Sequence, residues 1–186
     1  MTDPVPDLDE VTPLDLQPTL AGKIVALRPL EKDDFEALYQ AAADPLIWEQ
    51  HPHRDRYQPE VFKEFFTAAI ASRGALLVTD QASGSAIGTS RYYGWDPATR
   101  EIGIGFTFLA RSHWGGPANR EMKTLMLNHI FQWAEAVWFH VGVENHRSRR
   151  AVEKLGAAYS HTAPFPEGAA PHAFYRLTAH DFQARG

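Results

Sequence analysis

Apolar residues recur along the chain with the spacings of helices and strands, and these spacings predict the order of the elements. Helical spacing occurs in residues 31–43, in 59–73 and again after a Gly-Gly-Pro turn at 115–117. The longest apolar stripe contains Met122, Leu125, Met126, Ile130, Trp133, Ala134 and Val137. Short β-rich runs occupy residues 24–28, 75–79, 86–95, 100–109, 157–163 and 172–177, and a further strand precedes Asn145.

The predicted order of elements is βααβββαβαββ, with the last helix beginning at Asn145 and ended by Gly156. This order predicts an α+β fold (α/β layers), in which four helices flank a mixed, twisted central sheet of about seven strands. A chain of 186 residues favours a single domain, which we place at residues 20–186.

Residues 1–19 differ in composition from the rest of the chain. They contain four prolines and five acidic side chains and few apolar residues. Such a segment buries too little apolar surface to offset the entropy lost on ordering, so we predict a flexible N-terminal arm. The alternative is an arm that lies over a neighbouring subunit.

Composition excludes several classes of function. The formal net charge is −5 and no long basic run is present, which argues against nucleic acid as a partner. The chain has no cysteine, which excludes disulfides, thiolate metal sites and a cysteine nucleophile. It also lacks an apolar 18-residue run and a signal-peptide pattern, so we expect a cytoplasmic protein that does not bind membranes.

The turn before the longest helix has the composition of an anion site. Gly115 and Gly116 let a ligand approach the backbone, and the unpaired N–H groups at a helix N-terminus favour negative charge. On its own the motif is better explained by the alternative, a Gly-Pro turn that begins an ordinary core helix.

Four features follow one another in residues 100–157. They are a strand that begins with Glu101, the pattern Trp114-Gly115-x-x-x-x-x-Glu121, a second strand, and Asn145-x-x-Ser148 followed by Glu-Lys-Leu-Gly at 153–156. This ordered set resembles the GNAT superfamily of N-acetyltransferases, and within it the branch of ribosomal-protein N-terminal (alanine/serine) acetyltransferases. In element order the resemblance covers residues 22–182.

The resemblance implies transfer of an acetyl group from acetyl-CoA to a primary amine by direct attack in a ternary complex. The acceptor would be a protein or peptide N-terminus or a small-molecule amine. Pro117 stands where the family usually has a second glycine, which removes one N–H donor, and the side chains of Asn119 and Arg120 could compensate. Family habit also allows a homodimer.

The same resemblance assigns residues to acetyl-CoA and to the chemistry. The cofactor contacts are Phe106, Phe108, Leu109, Arg111, Trp114, Gly115, Gly116, Ala118, Asn119, Arg120, Asn145 and Arg149. Glu101 is the expected base, with a solvated strand-edge residue as the alternative. Ser148 is the expected donor to the leaving sulfur, because Val152 stands where many relatives have a tyrosine. Asn145 and Ser148 are also good helix-start residues, which is their alternative role.

The cost of deprotonation separates the candidate acceptors. Neutralising a lysine amine at pH 7 costs about 4.6 kcal/mol, whereas an α-amine costs about 1 kcal/mol. The family's acceptor side implies substrate contacts at Trp48, His51, Tyr92 and Trp95.

Two further expectations concern metals and turnover. His51 and His53 form the only close histidine pair, Pro52 keeps them extended and no third ligand is indicated, so we predict no metal. A second hypothesis is a catalytically silent relative that binds acyl-CoA as a sensor, suggested by Pro117 and Val152.

Overall fold

One mixed sheet organises the part of the chain that the computed structural model describes, residues 13–185. Its strands are β1 (Leu20–Ala21), β2 (Val25–Pro29), β3 (Ala75–Asp80), β4 (Ala86–Asp96), β5 (Glu101–Leu109), β6 (Ala136–Gly142), β7 (Ala158–Pro164) and β8 (Pro171–Thr178). The helices are α1 (Phe35–Ala42), α2 (Pro59–Ser72), α3 (Ala118–Ile130), α4 (His146–Lys154) and α5 (Ala179–Gln183).

The strands are arranged in the order β1-β2-β3-β4-β5-β6-β8-β7. Every neighbouring pair is antiparallel except β5 and β6, which are parallel. That parallel pair is joined at only three positions, the last of which is Gly103 opposite Trp138. Beyond this position the two strands separate, which opens the sheet near its centre.

Apolar side chains cover both faces of the sheet. On one face the α3 residues Met122, Met126 and Ile130 are fully buried, in a cluster that includes Ile102 and Ile104 of β5. The other face carries α1 and α2, whose buried residues are Leu38, Ala42, Phe62, Phe65, Phe66 and Ala69. The alternation along β5 therefore directs neighbouring side chains to different layers.

The predicted α+β fold is confirmed, with differences at its edges. The sheet has eight strands rather than about seven, because Leu20–Ala21 pairs with β2. A short fifth helix, α5, follows β8. Helix α3 ends at Ile130, because the N–H groups of Trp133 and Ala134 both bond to the Ile130 carbonyl in a tight turn. The prediction that Trp133, Ala134 and Val137 continue its apolar stripe was therefore wrong.

The motif residue Glu121 ties α3 to the start of β2. Its carboxylate accepts three backbone hydrogen bonds, from the N–H groups of Lys23 (2.9 Å), Ile24 (2.7 Å) and Val25 (2.8 Å). Burial alone would raise the pKa of Glu121, but these bonds lower it below its ordinary value. Glu121 thus fixes α3 to the start of β2.

The predicted N-terminal arm lies partly outside the described residues, which exclude residues 1–12. Within residues 13–19, Leu14 and Leu16 pack against the core, and Asp15 offers its carbonyl oxygen to the His129 ring at 2.8 Å. The arm stays a prediction for residues 1–12. Within residues 13–185, no helix is long and apolar enough to cross a membrane.

Candidate active site

A cleft of about 720 Å³ occupies the opening between β5 and β6. Its walls come from residues 104–109 of β5 and 139–142 of β6, and it extends over the turn before α3 and along α4. At its other end it meets the connection between α1 and α2, at residues 47, 48, 51 and 52. The cleft exists because β5 and β6 stop pairing after Gly103 and Trp138.

The glycine turn forms an open backbone cradle at one end of this cleft. Gly115 has φ +70°, a conformation that favours glycine, and a Cβ atom added at Gly115 or Gly116 would meet no atom within 4 Å. Pro117 follows as the N-cap residue of α3, with φ −79° and ψ −9°. The 13-residue helix α3 therefore points its N-terminal N–H groups into an open space beside two glycines.

Trp114 anchors this turn by packing beneath it. Its indole N–H donates to the Leu109 carbonyl at 2.9 Å, and the Arg147 guanidinium lies 3.7 Å from its ring centroid. Arg147 in turn donates to the Ile47 carbonyl at 3.1 Å. These contacts connect the turn, α4 and the α1–α2 connection around the cleft.

The cleft is lined by basic side chains. Its lining includes four cationic side chains, Arg120, Arg147, Arg150 and Lys154, together with the buried Lys123. None of the described residues that line it is Asp or Glu. Such a cleft attracts a polyanion and disfavours a polycation.

A β-bulge in β5 shapes the middle of the cleft. Thr89 lies opposite Phe108 and Arg91 opposite Gly105, so β5 carries one extra residue. Phe106 at the bulge has φ +51° and is 38% exposed, with the Arg91 guanidinium 4.1 Å from its ring centroid. A bulge of this kind ends regular pairing and redirects the strand.

Lys123 lies buried beneath the bulge, and the sequence analysis missed it. It is only 5% exposed, and its ammonium donates to the hydroxyls of Thr107 (2.7 Å) and Ser90 (3.0 Å). Burial lowers the pKa of Lys123 from 10.5 to about 7. The signal was a lysine beside Met122 and four residues before Leu127 on the apolar side of α3.

The structure brings most of the predicted cofactor residues to the cleft. Those that line it are Phe106, Phe108, Leu109, Trp114, Gly115, Gly116, Asn119, Arg120 and Asn145. Arg111, Ala118 and Arg149 do not. Arg111 pairs with Asp44, and Ala118 is buried in the core. Arg149 donates to the Tyr175 hydroxyl and to the Val143 carbonyl.

Asn145 and Ser148 lie together at the start of α4. The Asn145 side chain accepts a bond from the Ser148 N–H at 3.3 Å, so it caps the helix, and both residues line the cleft. Asn145 therefore caps α4, which is its alternative role, and it also lies in the cleft, where a cofactor contact is expected. Val152, also on the cleft wall, is apolar and buried.

Glu101 does not line the large cleft. It lies on a neighbouring pocket of about 440 Å³, which also includes Tyr93, Trp138, His140 and Phe165. Its carboxylate accepts bonds from the Trp138 indole (2.7 Å) and the Arg176 guanidinium (2.6 Å). Burial raises its pKa, but these bonds and the Arg176 charge lower it overall. A carboxylate held in this way is a weak proton acceptor.

The four predicted substrate contacts divide into two groups. Trp48 and His51 line the cleft, and burial, reinforced by the Arg56 charge, lowers the pKa of His51 to about 3. Tyr92 and Trp95 do not line it. Tyr92 is 1% exposed and donates its hydroxyl proton to the Met126 carbonyl. The adjacent residue, Tyr93, points to the opposite face and reaches His140.

No metal-binding arrangement occurs in residues 13–185: no three His, Cys, Asp or Glu side chains are grouped suitably. The close pair His51 and His53 has ring centroids 5.7 Å apart and a hydrogen bond from the His53 N–H to Nδ1 of His51. That bond leaves the pair poorly disposed for chelation.

Comparison with known proteins relates this architecture to others. The sequence profile of the Acetyltransferase (GNAT) domain matches residues 25–158. No curated protein sequence matches the chain.

Three solved structures illustrate the shared fold. A GCN5-related N-acetyltransferase from Brucella melitensis superposes with a TM-score of 0.81, at 20% identity over 90% of this chain and 81% of that one. Mycobacterium smegmatis RimJ, in complex with CoA-disulfide, has a TM-score of 0.65, at 19% identity over 88% and 86%. Spermidine N-acetyltransferase from Vibrio cholerae, in complex with CoA and spermine, has a TM-score of 0.68, at 15% identity over 87% and 99%.

Proposed function

Because this chain belongs to the GNAT acetyltransferase family and is an N-acetyltransferase, we propose that it transfers the acetyl group of acetyl-CoA to a primary amine. The transfer would take place by direct attack in a ternary complex. The observation that carries this proposal is the cleft itself, which combines a helix N-terminus, an open glycine cradle and four cationic side chains with no carboxylate among its described lining residues.

The residues present fit the phosphates of coenzyme A. Gly115 and Gly116 leave the space that a close backbone approach requires, and the N-terminal N–H groups of α3 supply donors. Pro117 contributes no N–H, whereas Asn119 and Arg120 stand in the first turn. Arg150 and Lys154 are exposed on the α4 wall and would bind further phosphate groups.

The thioester arm would lie along β5 between Phe106 and Leu109. Here β5 has no backbone pairing with β6, so its backbone groups on that edge are available to a ligand in extended conformation. Coenzyme A would supply the activated acetyl group, and the protein's part is to hold and orient it next to the acceptor.

Glu101 as the base and Ser148 as the donor to sulfur stay predictions. Ser148 lines the cleft at the start of α4, a position from which its hydroxyl could serve the leaving sulfur. Glu101 lies on the smaller pocket with both oxygens bonded, so any role as a base would run through a water molecule there. The cytoplasmic location and the homodimer also stay predictions.

The charge of the cleft narrows the choice of amine acceptor. A polyamine that reaches the acceptor end of the cleft would place positive charges near Arg147, with no carboxylate among the described lining residues to offset them. An acceptor with a single amine avoids this repulsion, and a weakly basic α-amine also enters in its neutral form at low cost. A peptide N-terminus therefore fits the site better than spermidine or a lysine side chain.

Calorimetric titration of coenzyme A into the wild-type protein and the Gly116→Val variant tests the cradle. A Cβ atom added at Gly116 meets no atom within 4 Å, so the thermal midpoint should stay unchanged while coenzyme A affinity falls at least tenfold. Ser112→Val, in the exposed turn before the cradle but outside the cleft lining, is the matched control.

A thiol-release assay over an amine panel tests the transfer. We expect turnover with peptides that begin with alanine or serine and much less with spermidine. Binding of coenzyme A without turnover on any amine would favour the sensor hypothesis, and no binding at all would refute both functions.

A further inference from the structure

The Tyr93 ring packs across β5 over two glycines, Gly103 and Gly105. A Cβ atom added at Gly103 would lie 2.5 Å from the Tyr93 ring, and one at Gly105 would lie 3.1 Å from it. The ring therefore rests directly on the β5 backbone. Its hydroxyl reaches Nδ1 of His140, on the far strand β6, at 2.6 Å. Two glycines in the run 101–106 thus permit one side chain of β4 to contact β6.

His140 stands where β5 and β6 separate. The last paired position is Gly103 opposite Trp138, and His140 follows two residues later on β6. Among the described lining residues, it alone belongs both to the large cleft and to the smaller pocket. An acceptor amine that approaches the opened edge of β5 from the α1–α2 side therefore passes this imidazole.

The surroundings keep His140 neutral and fixed. Phe165 and Phe174 pack against its ring, with centroids 4.1 Å and 4.3 Å away. Burial, followed by the charges of His172 and His161, lowers its pKa to about 4. Burial likewise raises the pKa of Tyr93 well above its ordinary value. Both members of the pair are thus uncharged at neutral pH.

We infer that His140, oriented by Tyr93, accepts the proton that the acceptor amine loses as it attacks the acetyl group, an inference that rests on the proposed function. This role requires the tautomer in which the Nδ1–H of His140 donates to the Tyr93 oxygen, because Nε2 then keeps a lone pair. The Tyr93 oxygen then stabilises the imidazolium that forms.

The transfer forms one bond and breaks one bond. The amine lone pair forms the C–N bond, the C–S bond breaks and its electron pair goes to sulfur. One proton passes from the amine nitrogen to Nε2 of His140, and sulfur takes a proton from Ser148 or water. His140 and the sulfur's donor then return to their starting forms by exchange with solvent.

The weak basicity of His140 decides when it acts. An imidazole with a pKa of about 4 does not deprotonate a free alkylammonium ion. It takes the proton once C–N bond formation has made the nitrogen acidic. The acceptor must therefore bind as a neutral amine, which favours α-amines over lysine side chains.

Glu101 is less well placed for this transfer. Both of its oxygens are bonded, to Trp138 and Arg176. Along β5 it precedes the bulge at Phe106 by five residues, which is roughly 16 Å of extended strand. His140 and the Tyr93 hydroxyl lie between Glu101 and that bulge.

The test measures kcat and KM at pH 7.5 for wild type, His140→Gln, Tyr93→Phe and Glu101→Gln. Two acceptors are used, a peptide with N-terminal alanine and hydroxylamine, whose attacking nitrogen loses its proton more readily. We expect His140→Gln to lower kcat with the peptide 10²–10³-fold and with hydroxylamine less than tenfold. The KM for acetyl-CoA should change less than threefold, and Tyr93→Phe should lower kcat about tenfold.

His180→Gln is the control, because His180 is an exposed histidine on α5 that does not contribute to the lowered pKa of His140. Its kcat should stay within twofold of the wild-type value. If His140→Gln does not fold, Tyr93→Phe provides the test, because phenylalanine keeps an aromatic ring packed on Gly103 and Gly105.

Three outcomes would overturn the inference. They are wild-type kcat in His140→Gln or, where that variant does not fold, in Tyr93→Phe; an equal loss with both acceptors; and a larger loss in Glu101→Gln than in His140→Gln. A wild-type protein that binds coenzyme A but transfers to no amine would instead refute the proposed function, and this inference with it.

Discussion

Replacing Lys123 by methionine should remove a pH-dependent loss of stability. Lys123 is buried beneath the β5 bulge and bonds only to the hydroxyls of Ser90 and Thr107. Burial lowers its pKa from 10.5 to about 7. That difference corresponds to about 5 kcal/mol. The free energy of unfolding is lower by this amount at low pH than at high pH, because the unfolded chain binds the Lys123 proton more tightly than the folded protein does.

The direction of this pH dependence follows from how the folded and unfolded states bind the Lys123 proton. Between pH 7 and pH 10.5 the unfolded chain carries the Lys123 proton and the folded protein largely does not. The free energy of unfolding therefore rises with pH across this window. Between pH 7.5 and pH 9.5 the contribution of Lys123 should grow by roughly 2–3 kcal/mol.

Urea denaturation of wild type and Lys123→Met at these two pH values measures the effect. Groups that titrate equally in both proteins cancel in the difference between their free energies of unfolding. Methionine fills the space with an unbranched apolar chain, and Ser90 and Thr107 keep the 2.8 Å bond between them. Lys63→Met, at an exposed position of α2, is the control and should show no such trend. A difference between wild type and Lys123→Met that is constant with pH would refute the reasoning.

Two other substitutions test how the cradle and α4 are held. Glu121→Gln should lower the free energy of unfolding by about 2 kcal/mol, because an amide replaces a carboxylate that accepts three backbone bonds; Glu135→Gln, exposed after α3, is the control, and equal urea midpoints for both variants would contradict the assigned role. Asn145→Ala should cost about 1 kcal/mol, as loss of a helix N-cap does, whereas Asn128→Ala, exposed on α3, should cost less in the same urea melts.

The sequence predicted the elements that depend on local signals. The glycine turn, the start of α3 and the Asn145 cap each need only neighbouring residues, and the structure has them where they were expected. The end of α3 was missed, because Trp133 and Val137 continue a helical spacing by coincidence after a tight turn at Ile130. Periodicity cannot distinguish a helix from a turn that leads into a buried strand.

The acceptor side could not be predicted to the residue, because register decides which side chains reach it. Tyr92 and Tyr93 are adjacent, and a shift of one residue moves a side chain to the other face of a sheet. Tyr92 lies opposite Ile104 and is buried under α3, whereas Tyr93 lies opposite Gly103 and crosses β5. The pairing of Tyr93 with His140 depends on β4, β5 and β6, and α3 separates β6 in sequence from the other two strands.

The groups at the acceptor end of the cleft share one property, which is weak basicity. Glu101 is held by Arg176 and Trp138, Val152 replaces a tyrosine, and His140 and Tyr93 are both neutral. None of these groups is a strong base, so the site gains little from an acceptor that arrives protonated. The cationic lining of the cleft acts in the same direction, because it repels an ammonium ion while it attracts the phosphates of the donor. Selection among amines would therefore rest on their basicity, which places α-amines ahead of lysine side chains and polyamines.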